Sequence, residues 1–204
     1  MLRSAAVTIV QNRLGNRTGL EARILAEMQL AQATELEGNA VLPWFLLKTG
    51  SVTASAATAT APTGFLREYE EGGLWGTDDD GLPYKIDKDD FAVLNAEEWE
   101  AGAPQQYALV GGTLYFFPTP DVSRTLTMYG YFADTPLGSS DIENNWLLYA
   151  PDLMIAQAGV QIARYLRDPD MVQLFSADVA RAWGRIQRTN VANAQAAFAQ
   201  FIGG

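Results

Sequence analysis

Apolar side chains recur at two different periods along this chain, and the change of period divides it. From Ser4 to Leu14, Ala6, Val7, Ile9 and Val10 fall at helical spacing, and Gly15 closes the run. A second helix is predicted from Thr18, with Leu20, Ile24, Met28 and Ala31 on one stripe, broadened by Leu25 and Ala33, and Gly38 as its stop. Thr18-Gly-Leu-Glu21 has capping-box spacing, in which the Thr18 hydroxyl accepts from the Glu21 amide while the Glu21 side chain reaches back. Leu42-Pro43-Trp44-Phe45-Leu46-Leu47 is a compact apolar plug, and with no convergent polar groups beside it, it reads as core.

The middle of the chain alternates instead. Tyr107 to Val110 and Thr113 to Phe117 flank Gly111-Gly112, a pair that accepts positive φ, so a tight antiparallel hairpin is expected. Neither proline of Pro118-Thr-Pro120-Asp121 has an N–H to donate, which ends the second strand; Thr125 to Phe132 resumes alternation, and the three runs read as a meander. Thr49 to Gly64 is rich in Ala, Thr and Ser and is compatible with an extended arm, a weak edge strand or a mobile loop. Phe65 to Tyr69 is strand-like again.

Helical spacing returns after residue 140. Pro151 suits a first helical turn, with Asp152 near the positive end of the helix, and the pattern runs to Arg167. Leu153, Gln157, Val160 and Arg164 trace one face while Ile155, Gly159, Ile162 and Leu166 trace another, so this helix is apolar over much of its circumference and belongs at a centre. Asp168-Pro169-Asp170 breaks it. A second long helix from Met171 carries Leu174, Phe175, Val179, Ala182, Trp183 and Ile186 as an inward stripe and Arg181, Arg185 and Arg188 as a basic ridge. The expected fold class is therefore α+β: residues 1–48 and 141–204 form a helical domain, and residues 49–140 form an inserted antiparallel β-rich lobe.

Composition narrows the chemistry. The 204 residues contain no histidine and no cysteine, which removes imidazole bases, thiolate nucleophiles, disulfides and most zinc, copper and haem ligation. No run approaches the length of a membrane helix and no signal-peptide pattern opens the chain, so a soluble, non-secreted protein is expected. The net charge of −10 is uneven: residues 1–48, 49–140 and 141–204 contribute +1, −10 and −1. An acidic middle should repel phosphate backbones. Asp78-Asp79-Asp80-Gly81 invites a calcium reading, but against an EF-hand loop the first place would be Gly76 and the twelfth Asp87, so it reads as a solvated turn. Asp87-Lys-Asp-Asp90 and Glu97-Glu98-Trp-Glu100 offer carboxylates without an identifiable pocket or orienting base and read as exposed acidic loops. No catalytic residue, metal or cofactor is expected.

The order of features resembles the head-to-tail adaptor (connector) proteins of tailed bacteriophages. The resemblance is carried by a capped N-terminal helix, Leu42-Pro43-Trp44, an acidic turn, the run from Gly102-Ala-Pro104 through Tyr107-Ala-Leu-Val-Gly-Gly-Thr-Leu-Tyr-Phe-Phe-Pro-Thr-Pro-Asp121, Asn144-Asn-Trp-Leu-Leu-Tyr-Ala-Pro-Asp-Leu153, and a helical hairpin. It implies a structural virion protein: a ring, dodecameric in the family pattern, seated under the portal protein at the neck, assembled in the host cytoplasm. The ring would meet the portal, tail or nozzle proteins and its own copies, and DNA would pass its channel without specific binding. Another tail or neck component, or a carboxylate-based glycan-binding or hydrolytic module, are the alternatives. Burying Phe198, Phe201 and Ile202 near the chain end would contribute ~1.5 to 3 kcal/mol each, which suggests a partner groove. These three, with Arg181, Arg185 and Arg188, are the candidate portal-binding residues.

Overall fold

The structure is a computed structural model that describes residues 1–69, 73–78, 80–138 and 143–202, with side chains described through Asn190. The chain divides into two compact units, Met1–Leu46 with Asp134–Gly204, and Leu47–Ala133.

In the first unit, α1 (Arg3–Arg13) buries Ala6, Val7 and Val10 and ends where Gly15 takes φ +80°. Helix α2 (Glu21–Leu30) buries Ile24 and Met28 and runs on into a π-helical turn, Ala31–Leu36. The capping box does not form. Leu20 occupies the cap position of α2, no side chain caps it, and Gly19 at φ +81° turns the chain between Thr18 and the helix. The Glu21 carboxylate instead accepts from Gln11 Nε2 at 2.7 Å; the bond to its own amide and then the Gln11 bond hold its carboxyl below the usual range. The plug folds as a 3-10 turn, Trp44–Leu46.

The remaining helices of this unit begin at Asn145. They are α4 (Asn145–Tyr149), α5 (Pro151–Tyr165) and α6 (Pro169–Ile202), the helix α3 (Phe91–Leu94) lying in the other unit. Helix α5 is buried on most sides, with Leu153, Met154, Ile155, Ala158, Val160 and Ile162 among its buried residues, as its broad apolar pattern requires. Gly159 lets α6 come close: a Cβ there would sit 2.5 Å from the Phe175 ring. The turn between them has Arg167 at φ +56°, and Asp168 Oδ1 accepts from the Met171 amide at 3.1 Å, so α6 begins at Pro169, earlier than its apolar pattern. The inward stripe of α6 is Phe175, Ala182 and Ile186; Leu174, expected on it, is 49% exposed because it lies one position, about 100° of helix rotation, off the Phe175 face.

The second unit is mostly antiparallel sheet. Its strands are β1 (Leu47–Ala54), β2 (Thr58–Thr60), β3 (Phe65–Glu68), β4 (Leu74–Thr77), β5 (Pro83–Lys88), β6 (Gln106–Val110), β7 (Thr113–Phe117) and β8 (Arg124–Phe132), with the short α3 (Phe91–Leu94) between β5 and β6. The Ala/Thr/Ser-rich stretch thus supplies β1 and β2. Strand order is β1-β8-β4-β5-β6-β7-β2, with β3 also on β8, and β5 with β6 is the parallel pair. Only residues 55–57 separate the first and last strands in that order, so the sheet curls back toward closure.

The hairpin forms about Gly111 and Gly112, at φ +59° and +82°, pairing Val110 with Thr113. The meander does not. After the prolines the chain leaves β7, and β8 enters the middle of the sheet, paired from Arg124 to Tyr131 with β1 on one edge and with β3 and β4 on the other. Burial explains the difference, since Leu126 and Met128 to Phe132 are all buried and a strand covered on both faces belongs inside a sheet. Val52, Leu74, Ile86, Tyr107, Leu114, Phe116, Leu126 and Met128 form the core beneath it.

Candidate functional site

The basic ridge of α6 is one wall of a groove. Arg181, Arg185 and Arg188 recur at helical spacing and line, with Arg13 of α1, Asp152 of α5 and Asp178 of α6, a cavity of about 350 Å³. Asp178 bridges two helices: its Oδ2 accepts from Arg13 Nη1 at 3.0 Å and its Oδ1 from Arg181 Nη2 at 2.8 Å. Arg185 pairs with Asp152. Four guanidinium groups against two carboxylates leave the groove cationic, and Arg188 has no hydrogen-bond or ionic partner among the described residues. Arg181 and Arg185 are 75% and 56% exposed in their side chains, so each pair is of the surface kind that contributes ~0 to 1 kcal/mol. Such arginines exchange partners readily. Their planar donors suit incoming carboxylates.

The other three candidate residues, Phe198, Phe201 and Ile202, belong to the part of α6 whose side chains lie outside the described residues. The backbone there is helical.

The acidic loops of the sheet unit divide into two groups. In the first, carboxylates bind backbone: Asp78 Oδ1 accepts from the amides of Asp80 (3.0 Å) and Leu82 (2.7 Å), shaping the β4–β5 turn, and Asp90 Oδ1 caps α3 by accepting from Ala92 N at 2.7 Å. Asp89 and Asp90 sit at the wall of an open cleft of about 560 Å³ between α3 and β6, but Asp89 too accepts from a backbone amide, that of Asp90. In the second group, Glu97, Glu98 and Glu100 are exposed and have no partner among the described residues. Their turn is held by Trp99, whose Nε1 donates to Leu94 O at 3.0 Å and whose ring packs on Phe117 at 6.2 Å.

Two polar clusters have no local signature in the sequence. In the helical unit, Glu37 Oε1 accepts from Gln32 Nε2 (2.9 Å), the Asp134 amide (3.1 Å) and Trp146 Nε1 (3.1 Å). Asp134 in turn accepts from the amides of Asn145 (2.5 Å) and Trp146 (3.3 Å), and Asn144 caps α4 through Leu147 N at 3.0 Å. The Asn144-Asn145-Trp146 run was visible in the sequence, but its partners, more than a hundred residues away at Gln32 and Glu37, were not. In the sheet unit, Glu68 takes hydrogen bonds from Lys88 and from the hydroxyl of Tyr107, a fully buried side chain. Burial first, and the Glu68 carboxylate second, push that hydroxyl far above the usual tyrosine range.

Among the described residues no group of three or more acidic ligands is placed to hold a metal ion, and no helix is long and apolar enough to cross a membrane. The sequence model of the SU10 adaptor protein family matches residues 4–199, nearly the whole chain. The chain belongs to the SU10 adaptor family. No curated protein matches it. As an SU10 adaptor it is a bacteriophage structural protein that works among head and tail components at the virion neck, and the connector resemblance of its hairpin and Asn144-Asn-Trp segment is the same relationship met from the sequence side. Both family-bearing segments have local structural reasons: the hairpin needs its paired glycines, and Asn144 to Trp146 needs the cap and the Glu37 contact.

Proposed function

We propose that this SU10 adaptor forms a closed ring that bridges the portal to the tail and encloses part of the DNA channel. The family match over residues 4–199 carries the reading. The two units act as separate domains in it, one helical and one β-rich, and a ring of identical subunits needs two different patches per subunit, which two unlike units supply. An acidic β-rich lobe suits a channel that DNA crosses without sticking. The α6 end that carries Phe198, Phe201 and Ile202 is the portal-docking arm, aided by the arginines upstream on the same helix, and the protein has no catalytic role. Portal, tail proteins and further copies of the chain are its partners, and assembly takes place in the host cytoplasm.

The test combines purified portal with full-length chain and with a variant lacking residues 197–204, followed by electron microscopy. Rings on the portal with the full chain and their loss with the deletion are expected. Undiminished attachment of the shortened chain would remove the arm from the proposal, and absence of any ring would remove the proposal itself.

A further inference from the structure

The groove on the helical unit is cationic, and the same chain carries an anionic feature of matching chemistry. The remaining carboxylates with described side chains in residues 49–140 are largely engaged: Asp78, Asp89, Asp90 and Asp121 accept from backbone amides, Asp87 faces Lys85, and Glu68 is sealed against Lys88 and Tyr107. Glu97, Glu98 and Glu100 are the concentrated exception, three exposed carboxylates within four residues on a turn that Trp99 fixes to Leu94 and Phe117. A fixed acidic knob loses less conformational entropy on docking than a mobile loop.

We infer that the arginine groove formed by Arg13, Arg181, Arg185 and Arg188 receives the Glu97–Glu100 turn of a second copy of this chain. The inference rests on the ring reading and gives its subunit contact a chemistry. The groove and the knob are different patches on one sequence, so the contact is heterologous, the kind that propagates from copy to copy and closes into a ring when the rotation allows. The cavity of about 350 Å³ admits the ends of the glutamate side chains and excludes a folded element, so the arginines meet carboxylates at the tip of the turn. Asp152 and Asp178 serve a purpose in this arrangement: they hold Arg185, Arg13 and Arg181 in place before the partner arrives. Arg188, without a partner among the described residues, gains one. A nucleic-acid phosphate is the competing anion, but two carboxylates among the four arginines reduce the net charge that a continuous phosphate chain would feel, whereas the few carboxylates of a short turn can each meet a single guanidinium group.

The absence of cysteine makes the test direct. Full-length Arg188→Cys and Glu98→Cys chains, each with a single thiol, are mixed under ring-forming conditions with portal and oxidised. A disulfide-linked heterodimer, formed in the mixture and far weaker in either variant alone, is the expected result. In parallel, Arg185→Glu with Arg188→Glu should raise the concentration for half-assembly roughly tenfold or more, and combining it with Glu97→Arg and Glu98→Arg should restore much of the loss. Closed rings without heterodimer and without charge rescue would overturn this contact and leave the ring reading standing. Failure of the unmodified chain to form rings would overturn both. Retention of a labelled DNA duplex that Arg188→Glu abolishes, with no heterodimer, would reassign the groove to phosphate.

Discussion

Each unit encloses a carboxylate in hydrogen bonds, and the two do so by different means. In the helical unit, the Glu37 carboxylate is met by neutral donors: the Asp134 main-chain amide, the Gln32 side-chain amide and the Trp146 indole. In the sheet unit, Glu68, only 6% exposed in its side chain, is balanced by the Lys88 ammonium and the Tyr107 hydroxyl. Neutral donors fix direction as well as charge, so the first cluster locks the path of the chain around Asp134 and the start of α4. An ammonium is a point charge with rotatable donors, so the second neutralises without fixing a path to the same degree. The Glu68–Lys88 pair should therefore weaken with added salt more than the Glu37 contacts do.

Four changes would break or sharpen this contrast. Trp146→Ala has the largest expected effect: it empties a fully buried site and leaves the Glu37 carboxylate without its indole donor, costing about 3 to 5 kcal/mol. Calorimetry should show one transition falling steeply while a second, belonging to the sheet unit, stays in place; a uniform shift of a single transition would show that the units do not unfold separately. Lys88→Met should cost about 2 kcal/mol, below the range for breaking a fully buried pair because the lysine is 40% exposed, and adding Glu68→Gln should recover much of it. Chemical denaturation of the four chains of that cycle measures the coupling.

Tyr107→Phe sharpens the contrast through pH. The hydroxyl is held protonated in the folded state above the pH at which an unfolded tyrosine ionises, so the unfolded chain binds fewer protons there and stability must fall as pH rises past about 10. The wild-type chain should lose up to about 1.4 kcal/mol more per pH unit in that window than the phenylalanine variant. Equal alkaline slopes in the two chains would refute the assignment. Arg181→Ala is the smallest, at most about 1 kcal/mol in low salt, since it removes only a solvent-exposed pair with Asp178. A larger loss would mean the groove is a stabilising element of the helical unit.

What the sequence made legible was local. Gly111-Gly112 specified a hairpin because the positive-φ requirement is carried by the two residues themselves, and the breadth of the apolar pattern placed α5 at a centre because nine of its fifteen residues had to be covered. Alternation identified β8 as a strand and said nothing of its neighbours, and adjacency in sequence wrongly suggested β7, when burial on both faces required β1, β3 and β4. The Thr18 to Glu21 spacing failed for a related reason: a capping box competes with every other partner of its carboxylate, and Gln11, ten residues away, won. The arginine ridge was legible from spacing alone and Asp178 is its local partner, whereas Asp152, thirty-three residues from Arg185, became part of the groove only when α5 and α6 packed together. The contacts of Gln32 and Glu37 with residues 134–146 lie further still beyond any local pattern.

Helix α6 has a mechanical side. Its 34 residues extend about 51 Å along one axis, against about 22 Å for the 15-residue α5 on which it rests. The helix is clamped near its start, where the Phe175 ring lies over Gly159, and again at Asn190, whose side-chain amide donates to Leu42 O at 2.9 Å. A rod held at two points transmits a push along its axis and a tilt about its clamp, with hydrogen bonds in parallel along every turn to resist stretching. A load applied at Ile202 therefore arrives at the Gly159 contact as a displacement of the whole rod, and a single bulky side chain at position 159 would shift the pivot from which that load is borne.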